Sequence, residues 1–299
     1  VISFRQHVVS LIAVFLALAV GIVLGGGPMS AVGQGLVDEA ASEDAGAEPD
    51  PGLEARAEYG DELAGALAGA AYGDGLANVP VVLLAMPGSD RTAADDLAAQ
   101  VEEAGGRVSG RYDVQESMVA AGEKALVDTL GSQLATQQGK GTVTAGASTY
   151  DRMGQLVARA VATTDEGGAR VDESATTIAE SLRAGELLVA DGKPDGRGAH
   201  VVVLLGPDGD VEEDPIYAGL LSGLARQSVG VVAAASTEDG VAGRVSRLRE
   251  DPVAEEIVTV DGVDHTSGVV TAVLALSTWP ESRGRQLGAS GSDGAVPLG

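Results

Sequence analysis

No cysteine occurs anywhere in the 299 residues. That excludes disulfides, thiol catalysis, zinc–thiolate sites and iron–sulfur clusters. Aromatic residues are scarce, 3% against 44% hydrophobic residues overall, so the core must be built from Val, Leu and Ala. Lysine stands only at Lys124, Lys140 and Lys193, and arginine supplies most of the positive charge. With 44 acidic against 19 basic residues the formal net charge is −25. Nucleic acid is thereby disfavoured as a partner, because its backbone requires clustered Lys and Arg. The balance fits a solvated acidic surface that attracts cations or basic partners. The plentiful Gly and Ala, with Arg far above Lys, read as compositional bias of the genome rather than as design.

Sequence signals for catalysis and cofactor binding are missing as well. There is no G-x-G-x-x-G, no G-x-x-x-x-G-K-[ST] and no G-x-S-x-G elbow. His7 lies at the start of the first hydrophobic segment, which leaves His200, just before a strand, and His265, in the turn before the last helix, as bases. Each reads as a polar boundary residue, since a catalytic role needs a positioned partner. Carboxylate pairs such as Asp95-Asp96 and Glu212-Glu213-Asp214 carry no specific information in so acidic a chain. The expectation is a non-enzyme with no cofactor and no catalytic residues.

Val8 to Leu24 is apolar apart from Ser10 and Gly21, long enough to span a bilayer as a helix. Arg5 and His7 precede it and the next charges are Asp38 and Glu39, so residues 1–7 are expected in the cytoplasm and everything after the span outside. A cleaved signal peptide is the competing reading. It needs a shorter apolar core and a small-x-small site, and Met29-Ser30-Ala31 is a poor version of one. A retained single-pass membrane anchor at 8–24 is preferred.

Residues 25–75 read as a linker with Pro49 and Pro51, followed by a helical stalk in which Leu53, Leu63 and Leu67 share a face. Its heptads are few, and Gly60 and Gly69 weaken a coiled coil. From 76 to 282 an exported α/β domain is expected. Val79–Ala85 and Arg107–Val114 read as strands around a helix 93–104, a βαβ unit. Residues 115–185 are mostly helical, with candidate helices at 116–134, 151–162 and 173–184, and strands at 201–205, 229–235 and 257–260 then alternate with helices 216–227, 241–249 and 268–277. The fold class is α/β: a mostly parallel doubly wound sheet with a helical insertion, in one sheet or two. Residues 283–299 are expected to be a disordered tail.

For ligands, the loop Pro87-Gly88-Ser89-Asp90 follows the first strand, where anions and small molecules commonly bind. Asp90 reads first as the cap of the next helix, and Gly206-Pro207-Asp208-Gly209 as ordinary turn chemistry. Soft copper sites draw on Cys, Met and His, yet Met29, Met86, Met118 and Met153 are scattered and read as apolar filler. The acidic run Asp208, Asp210, Glu212, Glu213 and Asp214 could hold a hard cation weakly but lacks the EF-hand order. Metal ligands stay unassigned.

Two strings are recognisable. Ile2-Ser3-Phe4-Arg5-Gln6-His7, followed by Ser10 to Gly25, closely resembles the opening of the mycobacterial copper transporter (MctB-like) family. Thr259-Val260-Asp261-Gly262-Val263-Asp264, with Gly268 and Thr271 to Leu276, resembles that family's ending. The resemblance covers nearly the whole chain and implies a role in copper efflux or homeostasis, with copper as a ligand on that ground alone. Related corynebacterial proteins, SteB, imply the alternative: a non-catalytic envelope scaffold in a cell-separation complex. The partners expected are therefore the membrane through Val8–Leu24, copper by resemblance, and an envelope protein or a second copy of the chain. The chain departs from the family at the stalk, where Pro49, Pro51 and many Gly replace a longer heptad segment.

Overall fold

In the computed structural model, residues 51–297 are described. The expected span at 8–24 and the linker to residue 50 lie outside them. Among the described residues no helix is long and apolar enough to cross a membrane.

The apolar runs form strands because both of their faces are covered. β1 (Pro80–Ala85), β4 (His200–Leu204), β5 (Gly230–Ala235) and β6 (Val258–Asp261) are buried almost throughout, so a continuous apolar run rather than alternation marks each. With β2 (Arg107–Val114), β3 (Leu188–Ala190) and β7 (Gln286–Gly288) they make one seven-stranded sheet, in the order β3-β2-β1-β4-β5-β6-β7. All neighbours are parallel except β3, which runs antiparallel to β2 at the edge. The question of one sheet or two is thus decided.

Helices cover both faces. Below the sheet lie α2 (Arg91–Glu103), α10 (Thr266–Ser277) and the end of α1 (Pro51–Tyr72), burying Leu97, Val101, Val273, Ala68 and Tyr72 against Val81, Leu83, Val202 and Val232. The helix expected as a stalk therefore packs on the domain at its carboxyl end. Above the sheet lie α4 (Lys124–Gln138), α5 (Thr149–Val161), α6 (Glu173–Ala184) and α7 (Asp214–Gln227), burying Leu134, Leu156, Ile178 and Leu221 against Val82, Leu84 and Val203. Each such side chain contributes about 1.5–3 kcal/mol by leaving water, and many Val and Leu make up for the few aromatics.

Local signals place the helix starts. Asp90 caps α2 by accepting from the Thr92 N–H, as expected, while Ser148 and Asp172 cap α5 and α6. Two expected helices are broken. Residues 116–134 divide into α3 (Glu116–Val119) and α4, and 241–249 into α8 (Thr237–Ala242) and α9 (Arg244–Leu248) around Gly243. At Gly243 a Cβ would meet the Asp239 carboxylate at 2.2 Å, so only glycine lets that buried side chain cap the next turn.

Some glycines read as compositional bias are required by packing. α5 and α7 touch backbone to backbone: a Cβ on Gly154 would lie 2.3 Å from the Leu220 carbonyl, and one on Gly223 2.3 Å from that of Asp151. The tail expected to be disordered is also corrected. Residues 286–288 add the seventh strand, and Ser290, Ala295 and Pro297 accept or donate hydrogen bonds to Asp261, Thr271 and Arg285. Polar pairing, invisible in a Gly/Ser-rich composition, holds this segment.

Candidate functional site: the cleft at the carboxyl edge of the sheet

The strand order reverses between the parallel neighbours β1 and β4, which makes their carboxyl ends the topological switch point where open α/β sheets hold ligands. Here the loops after the two strands close on each other. A Cβ on Gly206 would fall 2.0 Å from the Pro87 carbonyl, and one on Gly88 3.0 Å from the Pro207 ring. The crevice is therefore displaced to either side of the Pro87–Asp90 loop. Toward β5 lies a cavity of about 220 Å³ lined by Ser89, Asp90, Pro207, Ser236 and Asp264. Toward β2 lies a larger cleft of about 670 Å³, floored on the α2 side by Leu83 and Leu204 and walled by α2 and β2. Gly88, Ser89 and Asp90 border both.

The polar wall of the larger cleft comes from residues that sequence reasoning passed over. Arg111 Nη2 bonds Asp95 Oδ1 at 2.5 Å, and Arg91 approaches Asp113 only to 4.0 Å. Tyr112, between Arg111 and Asp113 in sequence, packs into the upper core instead, where burial pushes its hydroxyl up to about 12. The available signal was the alternation Arg107, Ser109, Arg111, Asp113 within β2, which puts a polar or charged residue at every second position of a strand close to the sheet edge.

The acidic run does not gather into a cation site. Arg244, only 1% exposed, takes Glu213 at 2.8 Å and Asp214 at 3.4 Å, while its guanidinium stacks 3.7 Å from the Tyr217 ring centroid. Arg247 takes Asp208 at 2.7 Å and Asp214 at 2.5 Å, and these bonds raise its pKa. Asp210 accepts from the Glu212 N–H as a turn cap. Arginine thus pairs three of the five carboxylates, Asp208, Glu213 and Asp214, across some 30 positions of sequence. Among the described residues, no group of three or more His, Asp or Glu is placed to hold a metal ion.

The second recognisable string is a structural lock. Asp261, fully buried, accepts from Arg249 at 2.6 Å, from the Ser290 N–H at 2.9 Å and from its hydroxyl at 3.0 Å. Thr259 accepts from Arg249 Nε, and Asp264 accepts from the Thr237 N–H and hydroxyl. The motif ties β6 to β7 and to the start of α8.

Matched against known protein families, the chain fits one described as "Copper transport outer membrane protein, MctB" across residues 1–298. The chain belongs to the MctB family. Relatives named "Copper transporter MctB" from Mycobacterium bovis and from two strains of Mycobacterium tuberculosis are each 29% identical to it over 306 residues, covering 92% of both chains. A copper-transport role is thereby supported at the level of the family.

The donors that copper prefers can then be located in this MctB family member. Met86, Met118 and Met153 are 5%, 0% and 0% exposed and belong to the upper core. Met86 and Met118 border a common void of about 20 Å³, room for roughly one water, whose other walls include Leu84, Val157 and Leu221 and offer no imidazole or carboxylate. His200 lies at the opposite end of the sheet from the cleft, buried edge-on to Trp279, and its Nδ1 has no hydrogen-bond partner. Burial lowers its pKa to about 4. His265 Nδ1 contacts Asp61 Oδ2 at 2.9 Å, and Asp61 Oδ1 also accepts from the Ser267 N–H. Burial raises the Asp61 carboxyl, but those bonds outweigh it and its pKa is lowered. The three groups tie the middle of α1 to the start of α10.

Proposed function

We propose that this chain serves copper homeostasis as an accessory module of the cell envelope, acting through a partner rather than as a chelator or an enzyme. The observation that carries the reading is the state of the soft donors. The three described methionines are core residues, and of the two described histidines His200 is walled in by Trp279 and His265 is engaged by Asp61. Opening the core to expose a methionine would forfeit about 2 kcal/mol or more of burial per side chain. In this reading the apolar stretch 8–24 anchors the chain, residues 1–7 face the cytoplasm, and the α/β domain stands outside, as the flanking charges favour. The family description supports the copper link. The unassigned cleft and the acidic surface support an envelope partner, the scaffold role that the corynebacterial resemblance also suggested.

The test pairs two measurements. Cells lacking the protein should accumulate copper and lose copper tolerance. Titration of Cu(I) and of Cu(II) into the full chain should give no tight stoichiometric binding. Stoichiometric binding that Met86→Leu or Met118→Leu abolishes would refute the accessory role, and unchanged copper content in the deleted strain would refute the copper role altogether.

A further inference from the structure

At about 670 Å³, the cleft beside β1 and β2 falls within the range of about 300–1,000 Å³ typical of small-ligand sites. Its floor is apolar and its rim ionic. Two arginines, Arg91 and Arg111, face four aspartates, Asp90, Asp95, Asp113 and Asp191. Two pairs cross the mouth. Arg111–Asp95 is tight, but Arg91 is 86% exposed and only reaches Asp113 at 4.0 Å. So loose a surface pair contributes little to stability, and a ligand displaces it at little cost. Among the described residues Asp191 makes no ion pair; only its backbone N–H is engaged, by the Arg111 carbonyl.

The mixture of signs selects the ligand. A purely anionic molecule such as inorganic phosphate meets twice as many carboxylates as guanidinium groups. A simple cation meets both arginines. An apolar molecule strips water from ionised side chains with nothing in return. A molecule with one carboxylate and one ammonium satisfies both signs, since guanidinium binds carboxylate through paired donors. We infer that the cleft binds a short zwitterionic peptide of roughly two to four residues, the bulk such a cavity accommodates. Its carboxylate lies on Arg91 and Arg111, its ammonium on Asp113 and Asp191, and its aliphatic parts over Leu83 and Leu204.

The test uses the full chain in mild detergent, with di- to tetrapeptides bearing free termini, the same peptides acetylated at the amino end or amidated at the carboxyl end, and inorganic phosphate. Calorimetry should find saturable 1:1 binding for members of the free series. Capping either end should weaken it at least tenfold. Arg91→Gln should cause the same loss as amidation and should not weaken the amidated peptide further. Asp113→Asn should likewise mimic acetylation. Both side chains lie at the surface, so the melting temperature should not move. No saturable binding across the series overturns the inference, as does equal binding of capped and free peptides, or competition by phosphate at the same concentration.

Discussion

His200 should make this protein lose stability as the pH falls through the weakly acidic range. The side chain is 6% exposed, lies edge-on to Trp279 with ring centroids 6.1 Å apart, and titrates near about 4 in the folded state. In the unfolded chain it titrates near about 6.5. The folded pKa is depressed, so a falling pH protonates the unfolded chain first. Stability is lost from about pH 6.5 down to about pH 4 and no further below. At about 1.4 kcal/mol per pH unit the whole window amounts to roughly 3 kcal/mol, of which about 2.5 kcal/mol falls between pH 7.5 and 4.5. Urea unfolding of the wild type and of His200→Gln at steps across this range isolates the effect. The carboxylates held low by their partners, Asp61, Asp128, Asp172 and Asp208, act equally in both proteins and cancel. The variant, even if weaker at pH 7.5, should show the flatter profile by that amount. Parallel profiles would refute the reasoning, as would an imidazole that titrates near 6.5 in the folded protein by NMR.

Asp261→Asn removes the charge opposite Arg249, whose side chain is only 7% exposed. An uncompensated buried cation should cost about 3–5 kcal/mol, and hydrogen exchange should rise selectively over residues 286–297, the segment that Asp261 holds through Ser290. Gly206→Val should destabilise by about 1–3 kcal/mol, because its Cβ would meet the Pro87 carbonyl at 2.0 Å and backbone has no rotamer with which to yield. An unchanged urea midpoint would show that the two loops are free to part.

Much of the fold was legible because fully buried strands are written as unbroken apolar runs. Arg107–Val114 matches β2 to the residue, and Glu173–Ala184 matches α6. What escaped had no local mark. β3 and β7 are three-residue strands whose pairing is decided by neighbours far along the chain. The breaks at Ala120 and Gly243 depend on what the side chains meet rather than on propensity. The loop Pro87–Asp90 was recognised as a place for ligands from its position after a strand. Arg91, Arg111 and Asp113 went unnoticed because scattered charges in an acidic chain carry no signal until the sheet brings them to one cleft.

By itself the sequence determined the α/β class, the order of most elements, the absence of thiol chemistry and the family resemblance, since each depends on residue types and short-range patterns. Only the tertiary structure decided that one sheet is formed and that Gly154 and Gly223 are spacers between touching helices. It also showed that Asp208, Glu213 and Asp214 of the acidic run are paired by Arg244 and Arg247, and that the methionines and histidines among the described residues are taken up by packing and pairing. Those outcomes depend on contacts between positions tens of residues apart, where burial and charge pairing set the energy and local sequence carries no record of the partner.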